Sequence, residues 1–131
     1  MISKNVEKAI NEQIKKEEHS SRIYLYMASW AEQNGFPGAA AWLFIQTEEE
    51  RVHMLKLLHY LNDRGGMATV QALEAPQKLF SNLAEMFQEV LKHEEYITAS
   101  INEVYAICQK ESDFTTANFL QWYITEQIEE E

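Results

Sequence analysis

The stretch LFIQTEEERVHMLKLLHYL, residues 43–61, carries the pattern on which both the fold and a candidate site depend. Its apolar residues Leu43 and Leu57 recur at the spacing of one helix face, and Glu50 falls on that same face. His53 follows Glu50 by three positions, so the two side chains are neighbours on the helix surface. The stretch therefore predicts a helix that buries a carboxylate beside an imidazole.

Breaks in the sequence divide the chain into long helical segments. Glycine and proline occur only at residues 35–38 and 65–76, and the remainder is rich in strong helix formers. Asp113 is predicted to cap the last helix. We predict a single domain, residues 1–131, with four helices over residues 5–33, 38–64, 81–110 and 114–131.

The lengths of the connections predict how these helices are arranged. The first two helices are joined by a few residues, and so are the last two, so each pair should form an antiparallel hairpin. The connection over residues 65–80 is long enough to run along the bundle as a crossover. The prediction is an all-α four-helix bundle of two hairpins joined by this crossover.

Charge and composition exclude several classes of function. The chain has 21 acidic and 11 basic side chains, and its net charge of −10 is opposite to that of a nucleic-acid or anionic-lipid binder. No apolar run is long enough to cross a bilayer. The single cysteine, Cys108, excludes an internal disulfide and a cysteine-rich metal site. We expect no nucleic-acid partner, no membrane partner and a cytoplasmic location.

Each predicted helix also places one glutamate on its apolar face. In chain order these are Glu17, Glu50, Glu94 and Glu130. Their positions along the helices allow all four to meet near the middle of the bundle. Unpartnered buried carboxylates are costly, and no basic residue shares these faces. Two divalent metal ions would balance the charge, and carboxylates with one imidazole suit iron or manganese and tolerate zinc.

These residues and their surroundings make the chain resemble the prokaryotic non-haem ferritins along essentially its whole length. The matching segments are Asn11-Glu12-Gln13, Glu17, Ser20, Ser21, Tyr24, residues 38–41, Glu49-Glu50-x-x-His53, His93-Glu94, residues 118–123 and Glu126-Gln127-x-Glu129-Glu130-Glu131. The resemblance implies a ferritin-like fold and an iron-oxidising activity.

The resemblance also implies roles for the residues of a dinuclear catalytic centre. Glu17, Glu50 and His53 would hold one ferroxidase iron. Glu50 would bridge to a second iron, held by Glu94 and Glu130.

Further residues match other parts of the family's site. Gln127 would hold a water or an oxygen species, and Tyr24 would be the catalytic tyrosine beside the two irons, with Trp122 as its aromatic neighbour. The resemblance implies a third iron site, formed by Glu49, Glu126, Glu129 and the shared Glu130.

The function implied by the resemblance is oxidation of Fe(II) by dioxygen or hydrogen peroxide and storage of Fe(III) as a hydrated oxide in a 24-subunit shell. Haem-binding relatives carry Glu-x-x-His in both hairpins and a Met after the second-helix glutamate. Here Gln127 begins the second motif and Arg51 follows Glu50, so we expect no haem.

The chain also departs from the family in length. Family members continue further, so we expect a truncated fourth helix and no fifth helix. A short fourth helix should expose apolar side chains such as Leu57, Leu58 and Leu61, or their counterparts on other helices.

Two other functions stay open. One is a metal-buffering or structural bundle without catalysis. The other is a di-iron oxygenase or peroxidase subunit, which is disfavoured because oxygenases need a substrate pocket, usually have a longer chain and keep a histidine in the second hairpin, where this chain reads Gln127-x-x-Glu130.

Overall fold

Four α-helices account for most of the chain. The computed structural model describes residues 1–76 and 79–131, so residues 77 and 78 of the predicted crossover lie outside the described residues. The helices are α1 (Lys4–Gln33), α2 (Pro37–Asp63), α3 (Leu83–Lys110) and α4 (Phe114–Glu130). All begin and end within two residues of the predicted positions. The prediction of an all-α bundle is confirmed.

Local chemistry explains where these helices begin and end. Asp113 accepts a hydrogen bond from the backbone N–H of Thr116, which confirms it as the N-cap of α4. Gly35 and Gly65 lie two positions after the last residues of α1 and α2, just beyond the C-cap residues Asn34 and Arg64, and have φ of 83° and 82°. Glycine adopts this left-handed conformation without the steric cost of a Cβ atom, so it ends both helices.

Hydrogen bonds between helices establish the topology. Gln13 pairs with Ser100 and Ser20 pairs with His93, so α1 and α3 run antiparallel. The pairs between α2 and α4 also run antiparallel, from Gln46–Glu130 at one end to Tyr60–Thr116 at the other. The short connections also make α1 and α2, and likewise α3 and α4, contacting antiparallel pairs. Each helix therefore has two antiparallel neighbours, as the prediction of two hairpins and a crossover requires.

The first part of the crossover is held against α1. The side chain of Asn11 donates to the carbonyl of Met67 over 3.0 Å and accepts from the backbone N–H of Thr69 over 2.8 Å. These bonds satisfy backbone groups of a segment that has no regular structure of its own.

Two apolar clusters fill the bundle, with a polar layer between them. One cluster draws on all four helices and includes Ile10, Leu57, Ile101 and Leu120, each at most 1% exposed. The buried members of the other come from α1, α2, α3 and Phe80. The glutamates of α1, α2 and α3 lie between the two clusters along their helices, so a water-poor region encloses them.

The helical period of the sequence predicts Leu25, Phe87 and Leu91 on inner helix faces, but these three side chains point outward. Leu25, Phe87 and Leu91 are 49%, 38% and 47% exposed. Each follows a buried residue and is therefore rotated by about 100° from the buried stripe. The buried neighbours are Tyr24, Met86 and Val90.

The expected exposure of Leu57 and Leu61 is wrong, since both are fully buried, and Leu58 is half-buried. The N-terminal half of α4 lies beside this end of α2 and covers it. Apolar side chains are exposed instead at the opposite end of the bundle. There Trp42 of α2 contacts Phe87 of α3, with ring centroids 5.9 Å apart, and both side chains are partly exposed to solvent. Within the described ranges, no helix combines the length and apolarity needed to span a membrane.

Candidate metal centre

The polar layer brings together the four glutamates expected on the inner faces. Glu17, Glu50 and Glu94 are at most 1% exposed, whereas Glu130 is half-buried near the end of α4. Together with His53 and Glu126, these glutamates form three groups. Within each group, one carboxylate oxygen or imidazole nitrogen atom of every member lies within 4.8 Å of those of the other members. The groups are Glu17–Glu50–His53, Glu50–Glu94–Glu130 and His53–Glu126–Glu130. We call them the first, second and third groups.

The three groups are linked in a ring by shared residues. Glu50 belongs to the first and second groups, Glu130 to the second and third, and His53 to the third and first. Cations held in the three groups would therefore occupy adjacent positions, each pair with a common ligand.

His53 lies at the junction of the first and third groups. Its Nδ1 atom is 3.3 Å from Glu50 Oε2 and 3.9 Å from Glu17 Oε2. Its Nε2 atom is 4.0 Å from Glu126 Oε2. The hydroxyl of Tyr123 donates to the backbone carbonyl of His53 over 2.7 Å, which ties this part of α2 to α4.

Neutral side chains orient the carboxylates. Gln13 Nε2 donates to Glu17 Oε1 over 3.1 Å, and Gln46 Nε2 donates to Glu130 Oε2 over 2.7 Å. Glu94 receives two donors, the hydroxyl of Tyr24 on Oε1 and Gln127 Nε2 on Oε2 at 3.3 Å. These donors place the carboxylates without neutralising their charge.

Among the residues that the structure describes, two buried side-chain oxygen atoms have no such partner. They are Oε2 of Glu17 and Oε1 of Glu50. In the described parts of the chain, no Lys or Arg nitrogen lies within 4.0 Å of the four inner carboxylates. Buried polar atoms in native proteins are nearly always satisfied, and bare carboxylate oxygens that converge in this way suit a hard divalent cation.

Burial raises the pKa values of these carboxyl groups. Burial, reinforced by the charges of Glu94 and Glu130 and partly offset by the adjoining Glu17 carboxyl, raises the pKa of Glu50 to about 8. The pKa of Glu17 is raised by burial and then by the charge of Glu50. Burial likewise raises the pKa values of Glu94, Glu130 and the Tyr24 phenol. A bound cation would oppose these shifts by favouring the ionised form.

The residues expected to form a third iron site line one surface cavity of about 600 Å³. Glu49, Glu126, Glu129 and Glu130 all line it, together with His53 and Trp122. Glu126 and Glu130 join His53 in the third group, but Glu49 and Glu129 are exposed and belong to none of the three groups. Trp122 packs edge-on against the His53 ring, with centroids 5.3 Å apart.

Sequence reasoning gave no role to Gln13, Gln46 or Tyr123. A usable signal was present for the two glutamines, because each lies on a buried helix face one turn before a buried glutamate. A polar side chain in that position needs a partner, and the nearby carboxylates provide one. Tyr123 carries no comparable signal, because its partner is a backbone carbonyl on another helix.

The fold and the site together define a class: an antiparallel four-helix bundle with a carboxylate and histidine metal centre in its interior. The chain belongs to the ferritin family, whose members store iron. The family's domain model, described as "Ferritin-like domain", matches residues 7–131.

Individual relatives agree with this assignment. The chain is 44% identical to a probable bacterial non-heme ferritin-like protein of Haemophilus influenzae, over all of this chain and 79% of the relative. It is 42% identical to a bacterial non-heme ferritin of Campylobacter jejuni, over all of this chain and 78% of that protein.

Solved structures agree as well. An open-pore ferritin from Archaeoglobus fulgidus superposes with a TM-score of 0.97 at 37% identity, over 99% of this chain and 80% of that one. The ferritin of Chlorobium tepidum gives the same TM-score at 35% identity, with the same coverage of both chains.

Proposed function

We propose that this chain is a subunit of an iron-storage ferritin that oxidises Fe(II) inside its bundle. One observation carries the proposal. Glu17 and Glu50 each keep a buried, unpartnered oxygen atom within a cluster of carboxylates that holds no Lys or Arg among the described residues. Such a cluster is poorly solvated until it receives cations, and Fe(II) accepts this set of oxygen and imidazole ligands.

In this proposal the first two groups hold the pair of iron ions that react. Glu17, Glu50 and His53 bind one ion, and Glu50, Glu94 and Glu130 bind the other. Glu50 bridges them, because it belongs to both groups. Tyr24 and Gln127 hold Glu94 in place through hydrogen bonds to its two oxygen atoms.

The reaction is a two-electron transfer. Each of two Fe(II) ions gives one electron to dioxygen, which takes up two protons and leaves as hydrogen peroxide. With hydrogen peroxide as the acceptor, the same two electrons and two protons yield two molecules of water. Ionised carboxylates assist because they stabilise the additional positive charge of Fe(III) in a region of low dielectric.

The third group is the proposed site of a third iron. Its residues Glu126 and Glu130 lie at the surface cavity, and its His53 also belongs to the first group. Glu49 and Glu129 line the same cavity and would attract cations towards it. An iron ion in the third group would lie between the solvent and the two iron ions of the first and second groups.

The proposal places many such subunits in a shell, expected to be a 24-mer in the cytoplasm, that stores the ferric product as a hydrated oxide. Family membership supports the shell and the mineral. We expect no haem, since the α4 motif begins with Gln127 and that side chain donates to Glu94.

The test is aerobic incubation of the full chain with a large excess of Fe(II). Ferric absorbance, dioxygen consumption and particle size are recorded for the wild type and for Glu50→Ala. A storage ferritin produces soluble particles with an iron core, and Glu50→Ala loses the rapid oxidation. Binding of Fe(II) without oxidation would instead indicate a metal-buffering bundle.

A further inference from the structure

A line of hydrogen bonds leads from the surface of α1 to the buried carboxylate of Glu17. Lys16 Nζ donates to Ser100 Oγ over 2.9 Å, and Ser100 Oγ donates to Gln13 Oε1 over 2.6 Å. Gln13 Nε2 then donates to Glu17 Oε1 over 3.1 Å. Ser100 and Gln13 are 3% and 1% exposed, whereas Lys16 is half-buried at the surface.

The chemistry of Lys16 fixes the direction of this line. A lysine ammonium group only donates, so it occupies an acceptor position on the Ser100 hydroxyl. The hydroxyl proton of Ser100 is then directed to its other neighbour, the side-chain carbonyl of Gln13. Once Gln13 Oε1 is engaged in this way, the amide can present only its NH₂ group to Glu17.

The orientation of the Gln13 amide decides which oxygen of Glu17 remains bare. Gln13 donates to Oε1 and leaves Oε2 without a partner, 3.9 Å from His53 Nδ1. A reversed amide would instead set a carbonyl oxygen against the carboxylate, which repels the ionised form. The line therefore holds the Glu17 carboxyl so that Oε2 is the oxygen left free for the first group.

We propose that Lys16, Ser100 and Gln13 are positioning residues for Glu17, acting as one unit to prepare the first group for its cation. The proposal rests on the proposed function, in which Glu17 is a ligand of that group. In the line of hydrogen bonds only Gln13 touches a member of the first group, and that member is Glu17, so the influence of all three residues on the cation would pass through Glu17.

The test measures Co(II) binding group by group. Crystals of the full chain are equilibrated at a series of Co(II) concentrations, and anomalous scattering gives the occupancy of each group. The variants are Gln13→Leu, Lys16→Met and Lys16→Arg, with Gln46→Leu as a matched control, because Gln46 is a buried amide that holds Glu130 rather than Glu17.

The proposal gives these variants different outcomes. Gln13→Leu should weaken Co(II) at the first group by about 10-fold or more, a usual effect of losing a residue that orients a ligand. Lys16→Met should lower the Co(II) affinity of the same group by a smaller factor. Lys16→Arg should keep the wild-type affinity, because the arginine side chain also only donates hydrogen bonds. Gln46→Leu should act on the groups that contain Glu130 and spare the first group.

A double variant distinguishes an effect of Lys16 through the line of hydrogen bonds from a direct effect of the lysine charge on the cation. If Lys16 acts through Gln13, Lys16→Met has no further effect in the Gln13→Leu background. An effect of Lys16→Met that persists in that background would overturn the proposal. So would a loss of thermal stability in the metal-free Gln13→Leu variant with unchanged Co(II) affinity at the first group, since that result indicates a merely structural role.

The proposed function fails in a different way. If Glu17→Ala leaves Co(II) at the first group undisturbed, Glu17 is not a ligand and the proposed function itself is at fault. If Glu17→Ala removes that ion and Gln13→Leu does not weaken it, the positioning proposal alone is wrong.

Discussion

His53 Nε2 lies 4.0 Å from Oε2 of Glu126 on α4, although the Nδ1 atom of the same ring faces Glu50 in the interior. A neutral imidazole offers one nitrogen to a metal ion and keeps a proton on the other. A cation bound in the first group through Nδ1 therefore leaves an N–H directed at Glu126. Under the proposed function, the first and third groups would compete for His53, and this competition would favour passage of an iron ion from one group to the other.

Two substitutions of His53 should separate these groups. Asparagine places an amide atom near the position of Nδ1, and glutamine places one near Nε2. We expect His53→Asn to keep a cation in the first group and to weaken the third by more than about 10-fold, and His53→Gln to do the reverse. Anomalous diffraction from Zn(II)-soaked crystals measures both. Loss of the same group in both variants would contradict this division of the ring.

Glu50→Ala should remove two ions at once, because Glu50 belongs to both the first and the second group. Titration calorimetry with Zn(II) should show the loss of two binding events per subunit, whereas Glu17→Ala should mainly weaken one. Asp63→Ala is the control, since Asp63 is an exposed acidic residue of the same helix that does not line the surface cavity. Wild-type stoichiometry in Glu50→Ala would refute the bridging role.

Tyr24→Phe should slow iron oxidation and leave the fold intact. The ring remains in its fully buried position, but the hydroxyl that donates to Glu94 is lost. We expect about 10-fold weaker binding of Fe(II) in the second group, because a ligand loses its orienting partner. Anaerobic Fe(II) titration and stopped-flow oxidation measure the two effects. Unchanged affinity combined with slow oxidation would indicate a redox role for the phenol instead.

The double variant Glu49→Ala/Glu126→Ala should spare the first oxidation and impair later turnover. Neither residue belongs to the first or second group, and both line the surface cavity at the third. In stopped-flow experiments at two Fe(II) ions per subunit, the fast phase should match the wild type, and repeated additions of Fe(II) should be oxidised more slowly. Loss of the fast phase in the first addition would mean that Glu126 serves the reacting pair directly.

Metal-free protein should lose stability as the pH rises. The pKa of Glu50 is raised to about 8 in the folded state, well above its value of 4.5 in the absence of burial. Between these values the folded state holds more protons than the unfolded state, so the free energy of unfolding falls with increasing pH. The raised pKa values of Glu17 and Glu94 act in the same direction.

Thermal melts between about pH 5 and pH 8, with and without Zn(II), check this dependence. Stabilisation by Zn(II) should grow with pH, because the metal binds ionised carboxylates and removes the cost of burying their charge. Glu50→Gln supplies the control, since an amide does not titrate. A metal-free wild type whose melting temperature rises across this range would contradict the buried cluster.

Much of this architecture follows from the period of the helices. Glu17, Glu50 and Glu94 lie on buried stripes, and the spacing of Glu50 and His53 placed them on one face. Burial is set by a stripe about 100° wide, so residues one position off it are easily misassigned. Phe87 and Leu91 were expected inside for that reason, and they are exposed.

The contacts between helices are less accessible to sequence reasoning. Gln46 meets Glu130, and Tyr123 meets the carbonyl of His53, only because α2 and α4 have a particular register in space. The same register brings His53 into the third group while Glu49 remains outside it. Periodicity determines which face a side chain occupies, but packing between helices determines which partner it meets.

The central claim is that the interior of the bundle binds a pair of iron ions bridged by Glu50. The most direct measurement is a crystal structure of the full chain soaked anaerobically with Fe(II), with diffraction recorded on both sides of the iron absorption edge. We predict two iron peaks inside the bundle, one among Glu17, Glu50 and His53 and the other among Glu50, Glu94 and Glu130. Iron bound only at exposed acidic residues, with the interior empty, would contradict the account.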